Sequence, residues 1–271
     1  MNTISFMSAN YVARQTGYQM TQGWMQGDRA ANDYFRPLAT FAARFDEMLA
    51  TIRPMGFEVM DIWLAHLHWS WATAEHIAIA RAMLAKHRLR LTSLAGNFGS
   101  TPAEFESACK LAAAVGAKVL GGSTAVLQSD RAFVVAALKT YGLILGLENH
   151  PEKTPDELLA KMGDDGGEVI GATVDTGWFG THGYDAAWAI EQLGERIAHV
   201  HLKDVVPGPQ HVTCRFGEGC VPLEACVQAL KRIGYSGGIS VEHEPEHADP
   251  REDLRASLRL LQGWLSADVS A

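Results

Sequence analysis

Three carboxylates and one imidazole are placed where this sequence could do chemistry. Glu148 ends the apolar run Leu143-Ile144-Leu145-Gly146-Leu147, and Asp175 ends Gly171-Ala172-Thr173-Val174. His201 lies within Ile197–Asp204, and Glu242 ends Ile239-Ser240-Val241. Each run reads as a short buried strand. Side chains alternate along a strand, so placing Ala198, Val200 and Leu202 outward turns His199, His201 and Lys203 inward. The same rule points Glu148, His150, Asp175, Ser240, Glu242 and Glu244 inward. Three carboxylates gathered in one partly buried mouth repel one another unless protonated or neutralised. A divalent cation would relieve that repulsion. Oxygen donors with a single His suit Mn²⁺, Mg²⁺ or Co²⁺ better than a structural zinc site, with Zn²⁺ as a further candidate. The alternative is that each residue caps a helix or pairs with Lys203 or Arg196.

Further polar and aromatic groups fall where a mouth loop would carry them. His66 and His68, with Trp63, Trp69 and Trp71, follow the second strand, and such side chains stack on and hydrogen-bond sugars. Asp61 could face the mouth beside Trp63 or equally serve on the surface or as a helix cap, and Asn97 follows the third strand. His150 and Lys203 share the inward faces of Glu148 and His201. Trp178 and Phe179 would form an apolar wall. Met20, Trp24 and Met25 lie in a long segment after the first strand, expected to be a lid or a contact between copies of the chain.

These groups must be positioned by alternating strands and helices. Eight strands are expected, at Ile4–Val12, Phe57–Trp63, Arg90–Ala95, Lys118–Gly121, Leu143–Glu148, Ile170–Asp175, Ile197–Leu202 and Gly238–Glu242. Helix starts between them are marked: Thr101-Pro102-Ala103-Glu104 and Thr154-Pro155-Asp156-Glu157 put Thr at N-cap, Pro at N1 and Glu at N3. Asp249-Pro250 opens a last helix over Arg251–Leu265, while Tyr184–Leu193 and Leu223–Ile233 run to Gly194 and Gly234 as C-caps. The fourth helix, within Ser123–Lys139, has an ill-defined start. Eight strand–helix units over residues 1–271 predict a single-domain α/β fold, the (β/α)8 barrel, whose active sites sit at the C-terminal strand ends. A doubly wound open sheet competes, but no glycine-rich phosphate fingerprint follows the first strand.

Composition narrows the partners. With 31 acidic and 23 basic residues, the net charge of −8 and the lack of a Lys/Arg cluster argue against nucleic-acid binding. The four Cys include no C-x-x-C pair, so neither a zinc knuckle nor a disulfide framework is expected. Met1–Arg14 shows no secretory leader, and no apolar run approaches the ~20 residues that span a bilayer. A cytoplasmic protein without membrane contact is the expectation.

The ordered set Leu-Gly-Leu-Glu148-Asn-His, Gly-Ala-Thr-Val-Asp175-Thr-Gly, His199-Val-His201-Leu-Lys-Asp and Ser-Val-Glu242 resembles the sugar phosphate isomerase/epimerase superfamily of xylose isomerase-like barrels. The resemblance spans essentially the whole chain. It implies that Glu148, Asp175, His201 and Glu242 bind one divalent metal and that Glu148 and Glu242 double as the acid/base pair. One Glu would remove the proton beside a carbonyl to give a cis-enediolate, and the other would return it to the opposite face or the neighbouring carbon. Ketose 3-epimerases of this kind carry a His three residues after the metal Asp, where this chain has Trp178, and an Arg soon after the metal His, where it has Val205-Val206-Pro207. Trp178, Cys214 and Phe216 stand where the apurinic endonuclease branch would place extra zinc ligands, which excludes DNA repair. His-Leu-Lys203-Asp204 looks more like the inositol-catabolism members, a keto-inositol isomerase and an inosose dehydratase. The implied substrate is a small sugar or cyclic polyol, contacted by His66, His68, His150, Lys203 and Trp178. A metal-dependent lyase is the alternative reaction, and a non-catalytic carbohydrate-binding barrel the alternative class.

Overall fold

Eight parallel strands close on one another in the computed structural model, which describes residues 2–268. In chain order the strands are β1 (Thr3–Met7), β2 (Val59–Trp63), β3 (Arg90–Asn97), β4 (Val119–Ser123), β5 (Ile144–Glu148), β6 (Ile170–Asp175), β7 (Ile197–Val205), the two-residue β8 (Thr213–Cys214) and β9 (Gly238–Glu242). β1 pairs with β2 and β9, and β7 pairs with β6 and β9, so the ring has no free edge. β8 lies antiparallel on the end of β7, outside the ring. The outer layer comprises α1 (Trp24–Phe35), α2 (Leu38–Leu49), α3 (Ala74–Lys86), α4 (Pro102–Val115), α5 (Val126–Ser129), α6 (Arg131–Tyr141), α7 (Pro155–Met162), α8 (Thr176–Thr181), α9 (Ala186–Leu193), α10 (Leu223–Arg232) and α11 (Arg251–Ser266). This is the expected (β/α)8 barrel. Among the described residues no helix is long and apolar enough to cross a membrane.

Local sequence sets the element boundaries. At α4, Thr101 Oγ1 accepts from the Glu104 N–H while the Glu104 carboxylate accepts from the Thr101 N–H, the expected reciprocal cap. Asp130 separates α5 from α6 by accepting the Phe133 N–H, which explains the ill-defined fourth helix. The first strand is shorter than the predicted Ile4–Val12. It ends at Met7, and Ser8–Tyr11 forms a buried 3₁₀ turn. Side-chain bonds turn the chain there: Ser8 Oγ accepts from the Trp63 N–H, and Asn10 brackets β9 through the Val241 carbonyl and the His243 N–H. The stretch around Met20 and Trp24 is structured rather than loose, with a 3₁₀ turn at Arg14–Thr16 and α1 beginning at Trp24. Met20 is buried, Trp24 half-buried and Met25 exposed.

The main apolar core lies between helices and sheet, where Phe35, Phe41 and Phe45 are fully buried and the Phe41 and Phe45 rings stack at 5.1 Å. Each such side chain contributes roughly 1.5–3 kcal/mol by leaving water. The barrel interior is different. Its floor is filled by Ser5, Asp61, Ser93, Thr173, His199 and Ser240, all buried, rather than by the branched aliphatics usual in such barrels. The Asp61 carboxylate is enclosed by donors from Thr92 Oγ1 (2.6 Å), Ser93 N (3.0 Å) and Ser93 Oγ (2.8 Å), with Ser5 and Ser240 hydroxyls on its other oxygen. Burial opposes its charge, but His199, 3.4 Å away, and these hydrogen bonds hold it well below the usual carboxylate range. Asp61 therefore braces the barrel floor and does not face the mouth.

Candidate active site

Strand register brings the predicted groups together. Asp175 is paired with His201 across β6–β7, and Lys203 with Glu242 across β7–β9. His201 Nδ1 lies 2.6 Å from Glu148 Oε1 and 3.4 Å from Glu242 Oε2. Donor atoms of Glu148, Asp175 and His201 all lie within 4.8 Å of one another, a spacing that could hold one metal ion. Glu242 adjoins this trio through His201 without completing a four-residue group at that spacing. Two glycines make the approach possible. A Cβ on Gly146 would collide with Thr173 Oγ1, and a Cβ on Gly177 would press on the Lys203 stem at 2.9 Å.

Neighbouring side chains fix the ligand-bearing backbone. Asn149 Nδ2 donates to the Asp175 carbonyl (2.9 Å), and the Asp175 N–H donates to Asn149 Oδ1 (2.8 Å), tying the ends of β5 and β6. Thr176 Oγ1 brackets Lys203, accepting its N–H and donating to its carbonyl, both at 2.8 Å. Asp175 Oδ1 also accepts the Trp178 N–H and so caps α8 (3.0 Å). Asp204 faces away from the site and accepts N–H groups of Gly217, Gly219 and Val221, anchoring the loop after β8. Sequence reasoning missed Asn149 and Thr176, because a side chain that braces a neighbouring strand has no periodic or spacing signature.

Lys203, expected to face inward, meets three carboxylates. Its buried ammonium sits 3.0 Å from Asp175 Oδ2, 3.1 Å from Glu242 Oε1 and 3.1 Å from Glu244 Oε2, and only the Glu244 contact has hydrogen-bond alignment. Glu244 is held in turn by Trp24 Nε1 (3.1 Å), its own N–H donating to Thr213 Oγ1 (2.9 Å). Burial works against the Lys203 charge, but Asp175, Glu242 and Glu244 outweigh it and keep the ammonium protonated far above the usual lysine range. Burial likewise opposes a charged His201, yet Glu242 and Glu148 raise its ring to about 10. Burial pushes Glu242 up to about 8, with Lys203 and His201 offsetting part of the rise. Asp175 is also penalised by burial, but Lys203, His211 and His201 bring it below the ordinary range.

Asp175 Oδ2 and Glu242 Oε2 are buried and accept no aligned hydrogen bond. Asp175 Oδ2 faces the Lys203 ammonium at 3.0 Å and Glu242 Oε2 faces His201 Nδ1 at 3.4 Å, so each has charge nearby but keeps acceptor capacity. Two such oxygens beside a neutralisable imidazole suit a hard or borderline divalent cation. The residues present fit such a group.

The remaining predicted contacts are dispersed. His66 is buried beneath the mouth, its Nδ1 2.9 Å from Ser8 Oγ and its ring edge-on to Phe35 and Trp63; burial lowers it to about 3. His68 is half-buried beside Trp69, its Nδ1 accepting the Ser70 N–H. His150 is exposed and packs against Trp178 at 4.2 Å between ring centres. The opposite neighbour of Trp178 is His211, which stacks on it at 3.9 Å with rings 6° from parallel. His211 was not among the expected site residues: it follows a Pro-Gly-Pro loop and carries no strand signature.

Known proteins share this fold. The closed barrel aligns with a zinc-bound IolI protein at a TM-score of 0.69 (15% identity, covering 97% of this chain and 98% of that one). It aligns with a D-allulose 3-epimerase from Methylomonas at 0.67 (17%, covering 97% and 98%) and a D-tagatose 3-epimerase-like protein at 0.66 (21%, covering 80% and 91%). By sequence, 119 residues are 33% identical to an uncharacterised protein of Methanocaldococcus jannaschii, covering 41% of this chain and 40% of that one. A stretch of 74 residues is 36% identical to the L-ribulose-5-phosphate 3-epimerase of Escherichia coli, covering 27% of this chain and 25% of that one. Each match thus spans less than half of the curated relative. Residues 49–264 match a family over most of the chain, and the protein belongs to the xylose isomerase-like TIM barrel family.

Proposed function

We propose that this barrel is a divalent-metal-dependent isomerase or epimerase that moves a proton at the carbon beside the carbonyl of a sugar or cyclic polyol. The observation that carries the reading is the approach of Glu148 and Glu242 to one imidazole nitrogen, at 2.6 and 3.4 Å, with Asp175 alongside and two buried carboxylate oxygens that accept no aligned hydrogen bond. A cation held by Glu148, Asp175 and His201, with Glu242 adjoining, would supply positive charge to the substrate's carbonyl and neighbouring hydroxyl oxygens. The chain's own groups handle the proton. Glu242, which burial raises to about 8 in the metal-free site, is one carboxylate that could exchange the substrate's proton. Glu148, partly open to the mouth, is its partner across the site. One carboxylate takes the proton, giving an enediolate, and the other returns a proton to the opposite face or to the adjacent carbon. Sugar 3-epimerases among the relatives agree with this chemistry.

Lys203 favours a second reaction class on the same site. An ammonium clamped among three carboxylates holds its proton tightly and could stabilise the developing charge of a departing hydroxyl by hydrogen bonding, a requirement of a dehydratase.

The test is solvent deuterium uptake by free and phosphorylated ketoses and by inososes, with chelator-treated and Mn²⁺- or Co²⁺-restored protein. Metal-dependent label at the carbon beside the carbonyl is expected, and loss of water from the substrate would establish the lyase. Glu242→Gln should abolish the exchange, and His201→Ala should lower metal content by elemental analysis. Full exchange in chelator, or sugar binding without any exchange, would replace this reading with a metal-free or purely binding barrel.

A further inference from the structure

The loop that joins β7 to β8 folds back on itself, the Val206 N–H donating to the Val212 carbonyl at 2.8 Å. Val206 to Gln210 and Val212 are exposed, and His211 alone turns inward. Its ring lies flat on Trp178, and its Nδ1 is 2.8 Å from Thr181 Oγ1 at the far end of α8. The other ring nitrogen, Nε2, is buried and has no hydrogen-bond partner. Trp178 is tied by its own N–H to Asp175, so the imidazole is built onto the helix that the candidate metal ligand caps. Lys203 and Asp175 are the charges that act on it most strongly.

A loop that exposes two valines while burying one imidazole nitrogen without a partner is costly if the ring only fills space. A stacked, anchored ring whose enclosed nitrogen lacks a partner is satisfied when a polar group of a ligand reaches it. Burial, aided by the Lys203 charge, keeps the ring neutral, down to about 3, so either Nε2 tautomer can serve a hydroxyl. We propose that His211 is a specificity residue, whose Nε2 hydrogen-bonds a hydroxyl of the bound sugar or polyol and selects among substrates by that hydroxyl's position. This inference rests on the isomerase/epimerase reading above and adds to it a residue from outside the barrel strands.

Shape and hydrogen bonding are separable at this position. His211→Phe keeps the stack on Trp178 and removes both nitrogens. His211→Gln places an amide near Nε2, and His211→Asn places one near Nδ1. In Mn²⁺-loaded protein we expect the Phe and Asn variants to lose about tenfold or more in kcat/KM for the preferred substrate, mostly through KM. The Gln variant should recover most of the loss, with melting temperature and bound Mn²⁺ unchanged in all three. Discrimination across D-allulose, D-fructose and L-ribulose 5-phosphate should collapse in the Phe variant. Calorimetric binding of the preferred sugar to wild-type and His211→Phe protein gives the same comparison without turnover. A wild-type protein that neither binds nor exchanges any sugar overturns the isomerase reading and this inference with it. An active wild type with unchanged Phe and Asn variants, or with loss in all three variants that tracks lost stability, overturns the role of His211 alone.

Discussion

Lys203 is the group whose removal probes the site most directly. Its ammonium lies within 3.1 Å of Asp175, Glu242 and Glu244, and it is almost fully buried. Lys203→Met keeps the stem volume beside Gly177 and removes the charge. Breaking a buried pair leaves an uncompensated buried charge, at about 3–5 kcal/mol. For a chain of this length that corresponds to a fall in melting temperature of roughly 6–10 °C for metal-free protein. The carboxylates can respond only by taking up protons, so the loss should be smaller at pH 5 than at pH 8. A divalent ion supplies the missing positive charge, so Mn²⁺ should raise the melting temperature of the variant more than that of the wild type. The assay is a thermal melt of both proteins at the two pH values, with chelator and with saturating Mn²⁺. A variant as stable as wild type at pH 8 in chelator, or one that Mn²⁺ does not rescue, would refute the reasoning that cationic charge holds these carboxylates together.

Other expectations follow from the same geometry. Glu242, raised from 4.5 to about 8, and His201, raised from 6.5 to about 10, both retain protons that the unfolded chain would release. Their contributions to metal-free stability therefore decline as pH climbs, Glu242's between about 4.5 and 8 and His201's between about 6.5 and 10, which melts across that range would show. Binding Mn²⁺ must displace those protons, so calorimetry in buffers of different ionisation enthalpy should detect up to about two protons released near pH 7, and zero release would remove both groups from the ligand set. Gly146→Ala should destabilise the fold by about 1–3 kcal/mol in denaturant titrations because its Cβ meets Thr173 Oγ1, and Thr173→Ala in the same chain should return most of that loss. Asp61→Ala should cost about 3 kcal/mol or more, since Ser5, Thr92, Ser93 and Ser240 lose their shared acceptor, with a smaller effect on Mn²⁺ affinity than on stability.

The sequence determined the barrel and the strand ends that carry its chemistry. Period-2 alternation placed Glu148, Asp175, His201 and Glu242 on inward faces, because the pleat leaves a strand residue only two directions. Thr caps marked the helix starts at α4 and α7, because backbone N–H groups at a helix N-terminus need local acceptors, whereas the Asp130 cap of α6 emerged only in the structure. What alternation does not contain is depth along the barrel or contact across it. Asp61 obeys the inward rule yet lies on the floor with His199, and His66 follows a mouth strand yet is buried behind Trp63. Lys203 was legible as inward, but its three carboxylate partners come from β6, from β9 and from the loop after β9. Only closure of the ring and its register bring them within ion-pair distance. His211 was not legible at all, because its position depends on a loop folding back over Trp178. Short-range patterns decide which face a side chain takes. The tertiary structure decides which charges meet, since Coulomb and hydrogen-bond energies depend on ångström distances between residues far apart in the chain.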